Sequence, residues 1–565
     1  MKEGPRMSID RIAARAISRR RLFRYGAAAA GGLWLAGCGP IAPAGVRPAA
    51  GTSGPSRGGQ AVISITHPDT LNPAISPVST TIYNTPFFYN GLTRPADDYQ
   101  PLPDLAESWT VSPDGTEYVF TLRRDVKFHD GEPFTAEDVR FSWELYSHPE
   151  NASGRQIGNF FSRIVGARDF TAGKAARIEG IEVTDPYTIG VRLTEVYAPF
   201  LTISAGQMIL PKHIWADVPV KELGAHPASR APVGTGPFVI DSWTANESIV
   251  MHAYEEHHAG RPYLDRIISV SVADQARGFD LLKAGEIDAM GLYAAVPIDS
   301  YEELRGDERF EARPLPGLAN QYVEFNFRLP VFQDLRVRKA ISYATDRRAL
   351  RESLWRGQAT HINGPIHPAF WAADPDTTTF DADPAKAADL FAEAGWRPGA
   401  DGVLEKGGEK LRFSMQSIQT TYDVALQDQW KNAGIDVELQ RMDFGSFWAP
   451  LYLAGKTEVA ALNLPFGLYL DPDYPLTGYF HSSLNRNQYK SERVDSLIGE
   501  ATATLDREER KELYSEFQET LAQDVPHLWL GIPDEIWGIR RGLVIPEKPV
   551  GYLTVRAARE WYREE

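Results

Sequence analysis

Cysteine is nearly absent: Cys38 is the only one in 565 residues. Without a second thiol, an intramolecular disulfide and a cysteine-based zinc site are both excluded. Apolar runs of membrane length are lacking around it. The stretch Tyr25 to Ala36 has twelve apolar or small residues, ~18 Å as a helix against a hydrocarbon core of ~30 Å. Positive charge is scarce, with a net charge of -16. Residues 1–37 hold eight Arg or Lys against two Asp or Glu, a surplus of six, so the remainder of the chain stands at -22. Such a chain lacks the basic surface that nucleic-acid phosphates require. Catalytic signatures are missing as well, with no Gly-x-Ser-x-Gly elbow and no His-Glu-x-x-His pair. Gly455-Lys456-Thr457 has the tail of a phosphate loop, but Pro450 stands where its first glycine belongs, so the backbone cradle is lost. His257 and His258 on an extended segment would point to opposite faces. They are therefore expected as surface residues in a turn ahead of Gly260, not as a metal site. Asp471-Pro472-Asp473 lacks the further oxygen ligands and glycine of a calcium loop. No catalytic residue, metal or cofactor is expected.

What is present begins with an address. Arg15, Arg19, Arg20, Arg21 and Arg24 precede the apolar stretch, the order of an export signal. Ser18-Arg19-Arg20-Arg21-Leu22-Phe23-Arg24 resembles the twin-arginine motif of proteins exported folded, with Leu22 where Phe is usual. Ordinary Sec export is the alternative. Leu35-Ala36-Gly37-Cys38 resembles a bacterial lipobox, in which the thiol accepts a diacylglyceryl group. Residues 1–37 are thus expected to be a signal peptide and Cys38 the lipid attachment point. A run rich in Gly, Ala, Pro and Ser follows to Gly59, and residues 38–59 read as a flexible tether with roughly 25 Å of reach. The mature protein is expected outside the cytoplasm, in the periplasm or on the outer face of the membrane that holds its anchor.

Beyond the tether, 43% hydrophobic and 11% aromatic residues can bury large cores. The length exceeds the ~250–300 residues at which single cores stop growing. Strands are expected at Gln60 to Ile65, Glu117 to Leu122, Ile178 to Val183 and Thr188 to Leu193. Thr135 and Asp138 form a capping box for a helix that turns Val139, Trp143 and Tyr146 inward. Further on the pattern is α/β. Gln321 to Phe327 reads as a strand, and Asp334 and Asp383-Pro384 start helices, the second stopped by Gly395. Leu411 to Met415, a helix to Gly434 and Ile435 to Leu439 form a βαβ unit with parallel strands. Asp506 and Glu509 cap a helix carrying Leu513, Phe517 and Leu521. Pro526 closes it, and a short strand runs from Leu528 to Ile532.

Several segments together resemble the peptide-binding family 5 of ABC-importer solute-binding proteins, the oligopeptide, dipeptide and nickel binders. They are Leu71-Asn72-Pro73, Leu105 to Trp109, Tyr118 to Leu122, Val126 to Gly131 with Phe134 to Val139, and Val233-Gly234-Thr235-Gly236-Pro237-Phe238. Arg261 to Asp265, Asn326 to Arg347, and Tyr489, Asp495 and Ile498 with Asp506, Arg507 and Arg510 complete the set. The resemblance implies an α/β, two-lobed clam-shell fold with an extra subdomain on the first lobe. Its lobe I core would comprise 60–75, 180–313 and 530–565, with the subdomain at 76–179 and lobe II at 314–529. Pro314, Pro316 and Gly317 would mark one crossing between lobes and Pro526 the other.

The implied function is the binding component of an ABC importer, expected as a monomer, that captures a peptide or similarly sized polar solute and hands it to permease subunits. An oligosaccharide or opine-like ligand is the alternative within the class; a secreted hydrolase or a non-transporting scaffold lies outside it. Aromatic residues beside Pro, Gly and Asp suit a small-molecule cleft. Expected ligand contacts are Ser79, Thr80 and Tyr83 of the first lobe and Tyr322, Trp448, Phe466, Tyr469, Asp471 and Tyr474 of the second. Peptide-binding relatives place a carboxylate before the Asp-Pro step to meet the ligand ammonium. Leu468 occupies that position here, leaving Asp471 or Asp473 to serve.

Overall fold

Strand-forming sequence on both sides of a Pro-Gly step sets up the middle of the molecule. Phe310–Pro316 and Asn320–Phe325 are strands, separated by Gly317, Leu318 and Ala319. Both pair antiparallel with one fourteen-residue strand, His527–Arg540. Tyr322 faces Trp529 in one pairing, and Pro316 faces Asp534 in the other. The chain thus crosses the molecule twice, side by side. The computed structural model describes residues 55–76, 79–152, 158–272, 274–292, 294–418, 420–464 and 470–564, and Gly54–Glu565 form one compact unit. The segments around Cys38, the start of the tether, Phe466, Leu468 and Tyr469 lie outside the described residues, as do the side chains of Ser79 and Tyr474.

His527–Arg540 belongs to a twelve-stranded sheet. Beyond its first half lie Asn320–Phe325, Val459–Leu464, Arg412–Ser417 and Asp436–Arg441, the last two parallel and joined by helix Asp423–Asn432. This is the expected βαβ unit. Beyond its second half, Gln60–Ser64 pairs parallel with Ala289–Met290 and Arg266–Val270. The antiparallel hairpin Phe238–Thr244 with Ser248–Ala253 follows.

A separate four-stranded antiparallel sheet is built from Ala106–Val111, Glu117–Leu122, Thr188–Arg192 and Ile181–Asp185. Helix Ala136–Tyr146 packs on it. The capping box is present, with the Thr135 amide donating to Asp138 at 2.9 Å, and Trp143 and Tyr146 are buried. Trp143 stacks on Phe161 with centroids 5.3 Å apart. The apolar cluster of this unit runs from Ala74 to Leu223.

Three expectations differ from the structure. The strand expected at Ile178 begins at Ile181, because the Ile178 amide donates to the Glu144 carboxylate at 3.1 Å and Gly180 turns the chain. The short strand Leu528 to Ile532 is the start of the fourteen-residue one. Pro533 does not break it because the strand changes partners there, where a ladder hydrogen bond is not required of its nitrogen. The change of partner falls between Gly531 and Asp534, and Pro526 sits between helix Arg507–Asp524 and the strand. His257 and His258 are buried, not on the surface. His258 Nε2 lies 2.8 Å from Asp104, whose other oxygen accepts from Asn90 at 2.9 Å.

At the crossing, the Gly317 amide donates to the Pro533 carbonyl at 3.1 Å. A Cβ on Gly317 would overlap that oxygen, and a backbone atom cannot swing aside. Gly317→Ala is expected to separate the two strands and cost about 1–3 kcal/mol, read as a lowered urea midpoint.

Candidate functional site

The helix Asp473–Phe480 projects from a loop anchored below the surface. Asp471, 2% exposed, binds Arg510 in a two-pronged pair, with Nη1 to Oδ2 at 3.1 Å and Nη2 to Oδ1 at 2.9 Å. Its Oδ1 also accepts the Asp473 amide at 3.0 Å, which fixes the first turn of the helix. Arg510 donates further to the Ala501 carbonyl and to Tyr514, so neither ion is left uncompensated. Asp473 is equally enclosed, accepting from Thr502 at 2.5 Å and Thr477 at 3.0 Å. Burial pushes its carboxyl above the usual carboxylate range, and the charge of Asp471 adds to the shift.

In front of this anchor lies a cavity of 590 Å³ between the four-stranded unit and the half of the molecule that carries the βαβ unit. One wall carries Arg163, Glu195 and Tyr197. Arg163 pairs with Glu195 at 3.1 Å and lies over the Tyr197 ring at 4.3 Å. The opposite wall carries Trp448, Thr477, Tyr479 and Arg486. Phe444, Trp448 and Tyr452 form a stacked ladder, with centroids 5.4 and 5.0 Å apart. Phe444 at its outer end is 58% exposed. The Arg486 guanidinium sits between two aromatic faces, 5.6 Å from Tyr452 and 5.7 Å from Tyr479. Among the described residues it has no carboxylate within ion-pair distance. Cation–π contacts hold such a group in place without neutralising it.

Behind the ladder is a polar wall. Glu324 accepts from Tyr452 at 3.1 Å and contacts His527 at 3.2 Å, all three buried. Tyr322 is fully buried beside them, its ring 5.0 Å from Trp529.

Of the expected contacts, Trp448 lines the cavity and Tyr322 backs it. Asp471 is committed to Arg510, and Asp473 reaches the lining while its carboxylate is held by threonines. Thr80 and Tyr83 lie elsewhere, on helix Ser79–Asn84. Asn84 ties that helix to the Thr66 carbonyl at 2.9 Å, and Tyr83 packs 5.8 Å from Tyr552. Arg486, Arg163 and Tyr479 were not among the expected residues. For Arg510 a signal existed: it shares a helical face with Tyr514, Phe517 and Leu521, and a cation on a buried stripe needs an acid.

Residues 100–487 match the family model described as bacterial extracellular solute-binding proteins, family 5, middle region. The oligopeptide-binding protein AppA of Bacillus subtilis is 27% identical over 520 residues, covering 88% of this chain and 89% of that one. The heme-binding protein A of Haemophilus influenzae is 28% identical over 454 residues, covering 77% and 79%. Among solved structures, NikZ of Campylobacter jejuni in complex with Ni(L-His) superposes with a TM-score of 0.71 at 26% identity, covering 90% of this chain and 99% of that one. The chain belongs to family 5 of the bacterial extracellular solute-binding proteins and has their two-lobed α/β fold. Members of this family bind peptides or other small molecules and work with ABC permeases.

Removing one partner of the Asp471–Arg510 pair strands a buried charge. Asp471→Ala is expected to cost about 3–5 kcal/mol, and Asp471→Leu combined with Arg510→Met to recover most of it, by urea denaturation. Asp473 titrates in the opposite sense to an ion-paired acid. Its folded pKa is raised, so its contribution is fully present below the ordinary value near ~4 and is lost as pH rises through the folded value. Asp473→Asn should remove that loss, read as a flatter dependence of stability on pH.

Proposed function

We propose that this family 5 protein captures a peptide or similarly sized polar solute bearing an anionic group, closes its two lobes around it and delivers it to an ABC permease. The observation that carries this reading is Arg486, a cation fixed between Tyr452 and Tyr479 in a 590 Å³ cavity, with no carboxylate within ion-pair distance among the described residues. An anionic group entering there gains a charge-assisted partner whose side-chain entropy is already spent. Trp448 and Phe444 would cover the apolar part of the solute. Asp471 serves as the anchor of the loop in this reading, and the Gly317–Pro533 crossing as the pivot. Ligand that favours the closed state shifts the population toward it, and nothing in that cycle calls for a nucleophile or general base.

The relatives named above bind an oligopeptide, heme or a nickel–histidine complex according to their names, so family membership alone does not select a solute. The stacked ladder ending in exposed Phe444 favours a second reading, a ring-bearing oligosaccharide or opine-like solute. Export by the N-terminal signal and lipidation at Cys38 complete the proposal. Two or more acyl chains give stable attachment, and the tether leaves the lobes free to turn toward the permease.

Ligand recovered from the purified protein by native mass spectrometry identifies the solute, and its unchanged mass after incubation separates binding from hydrolysis. Titration with peptide, C-terminally amidated peptide and oligosaccharide libraries is expected to show Arg486→Gln weakening the anionic solute by about tenfold to a hundredfold. Neutral sugars binding equally well to both forms would favour the second reading. Cys38→Ala is expected to move the protein from the membrane fraction to the soluble one.

A further inference from the structure

The segment Gly166 to Thr171 sets a further cation against the solute cavity. Gly166 opens the short helix Ala167–Thr171 at φ 80°, and a Cβ there would come within 2.9 Å of the Glu179 amide nitrogen. With the entry fixed, Ala167 and Phe170 turn into the core of the four-stranded unit and Arg168 is left exposed. Neighbouring positions on a helix point ~100° apart. Arg168 accordingly reaches the lining of the 590 Å³ cavity, whereas Asp169 does not.

Three arginines and two acids line that cavity, and their pairing is uneven. Arg163 takes Glu195 at 3.1 Å. Asp473 accepts from Thr502 and Thr477, and burial holds it toward its neutral form. Arg168 and Arg486 are left over, and neither has a carboxylate within ion-pair distance among the described residues. They stand on opposite walls. Arg168 comes from the wall of Arg163 and Tyr197, and Arg486 from the wall of Trp448 and Tyr479.

We propose that the solute is an acidic peptide, whose C-terminal carboxylate meets Arg486 and whose Glu or Asp side chain meets Arg168 across the cavity. This rests on the reading of the cavity as the solute site given above. A solute with one anionic group leaves one of the two arginines uncompensated. Like charges on facing walls oppose the approach of the lobes, and a solute that neutralises both removes that opposition as it bridges them. Its preference for the closed state then exceeds that of a peptide of the same length with a neutral side chain, and so does its power to shift the population. Arg168 is exposed, whereas two rings hold Arg486 in place, so the share of Arg168 is the smaller.

The test is calorimetric titration of the full chain at low ionic strength with alanine tripeptides and tetrapeptides carrying one Glu or one Gln at each position in turn. At one position or more, the Glu peptide is expected to bind about threefold to tenfold more tightly than its Gln counterpart. Arg168→Gln should abolish that preference without weakening the Gln peptides or lowering the melting temperature, and Arg168→Lys should retain part of it. Arg486→Gln should weaken every peptide. Equal binding of Glu and Gln peptides, or a preference that survives Arg168→Gln, would overturn the proposal. Weakening by Arg486→Gln in the same experiment would leave the solute site standing. Peptides that bind equally well to the wild type and to Arg486→Gln, or that do not bind at all, would overturn both.

Discussion

Everything about the two-lobed arrangement depends on two strands lying side by side where the chain crosses, joined by the Gly317 amide and the Pro533 carbonyl at 3.1 Å. The fourteen residues of His527–Arg540 serve one half of the molecule with their first part and the other with their last. No loop intervenes, so the halves are coupled by β-structure that bends but does not stretch. Few residues absorb the change of angle in such an arrangement. Gly317, Gly531 and Pro533 are suited to it because they interrupt the ladder without leaving backbone groups stranded.

Among the described residues, the buried charges of the interior follow one rule, and Arg486 at the cavity is held differently. Asp471 has Arg510, Glu324 has Tyr452 and His527, and Arg338 is surrounded by the carbonyls of Phe332, Asp524 and Val525. Each buried charge brings its own compensation, as the desolvation cost demands. Arg486 differs in being held by aromatic faces instead of an acid, which keeps its charge available to whatever enters.

Short-range features were legible in the sequence and long-range ones were not. The capping box at Thr135, the N-cap at Asp506, the Asp383-Pro384 start and the parallel unit around helix Asp423–Asn432 all rest on residues within a few positions of one another. The His257–His258 pair was misjudged because the partner of His258, Asp104, lies 154 residues earlier. The continuation of the strand through Pro533 was hidden because it depends on a change of partner, which is a tertiary event. Of the site, Trp448 was found through its aromatic setting. Arg486 was missed because it is defined by two rings from different helices, neither adjacent to it in sequence.

The Asp471–Arg510 pair has an evolutionary consequence. It fixes the start of helix Asp473–Phe480, whose Asp473 amide donates to Asp471 and whose Thr477 and Tyr479 line the cavity. The anchor itself is met by Arg510 from another helix. Substitutions of the cavity-facing side chains of that helix can therefore alter what the wall presents without touching the ion pair that holds the wall in place.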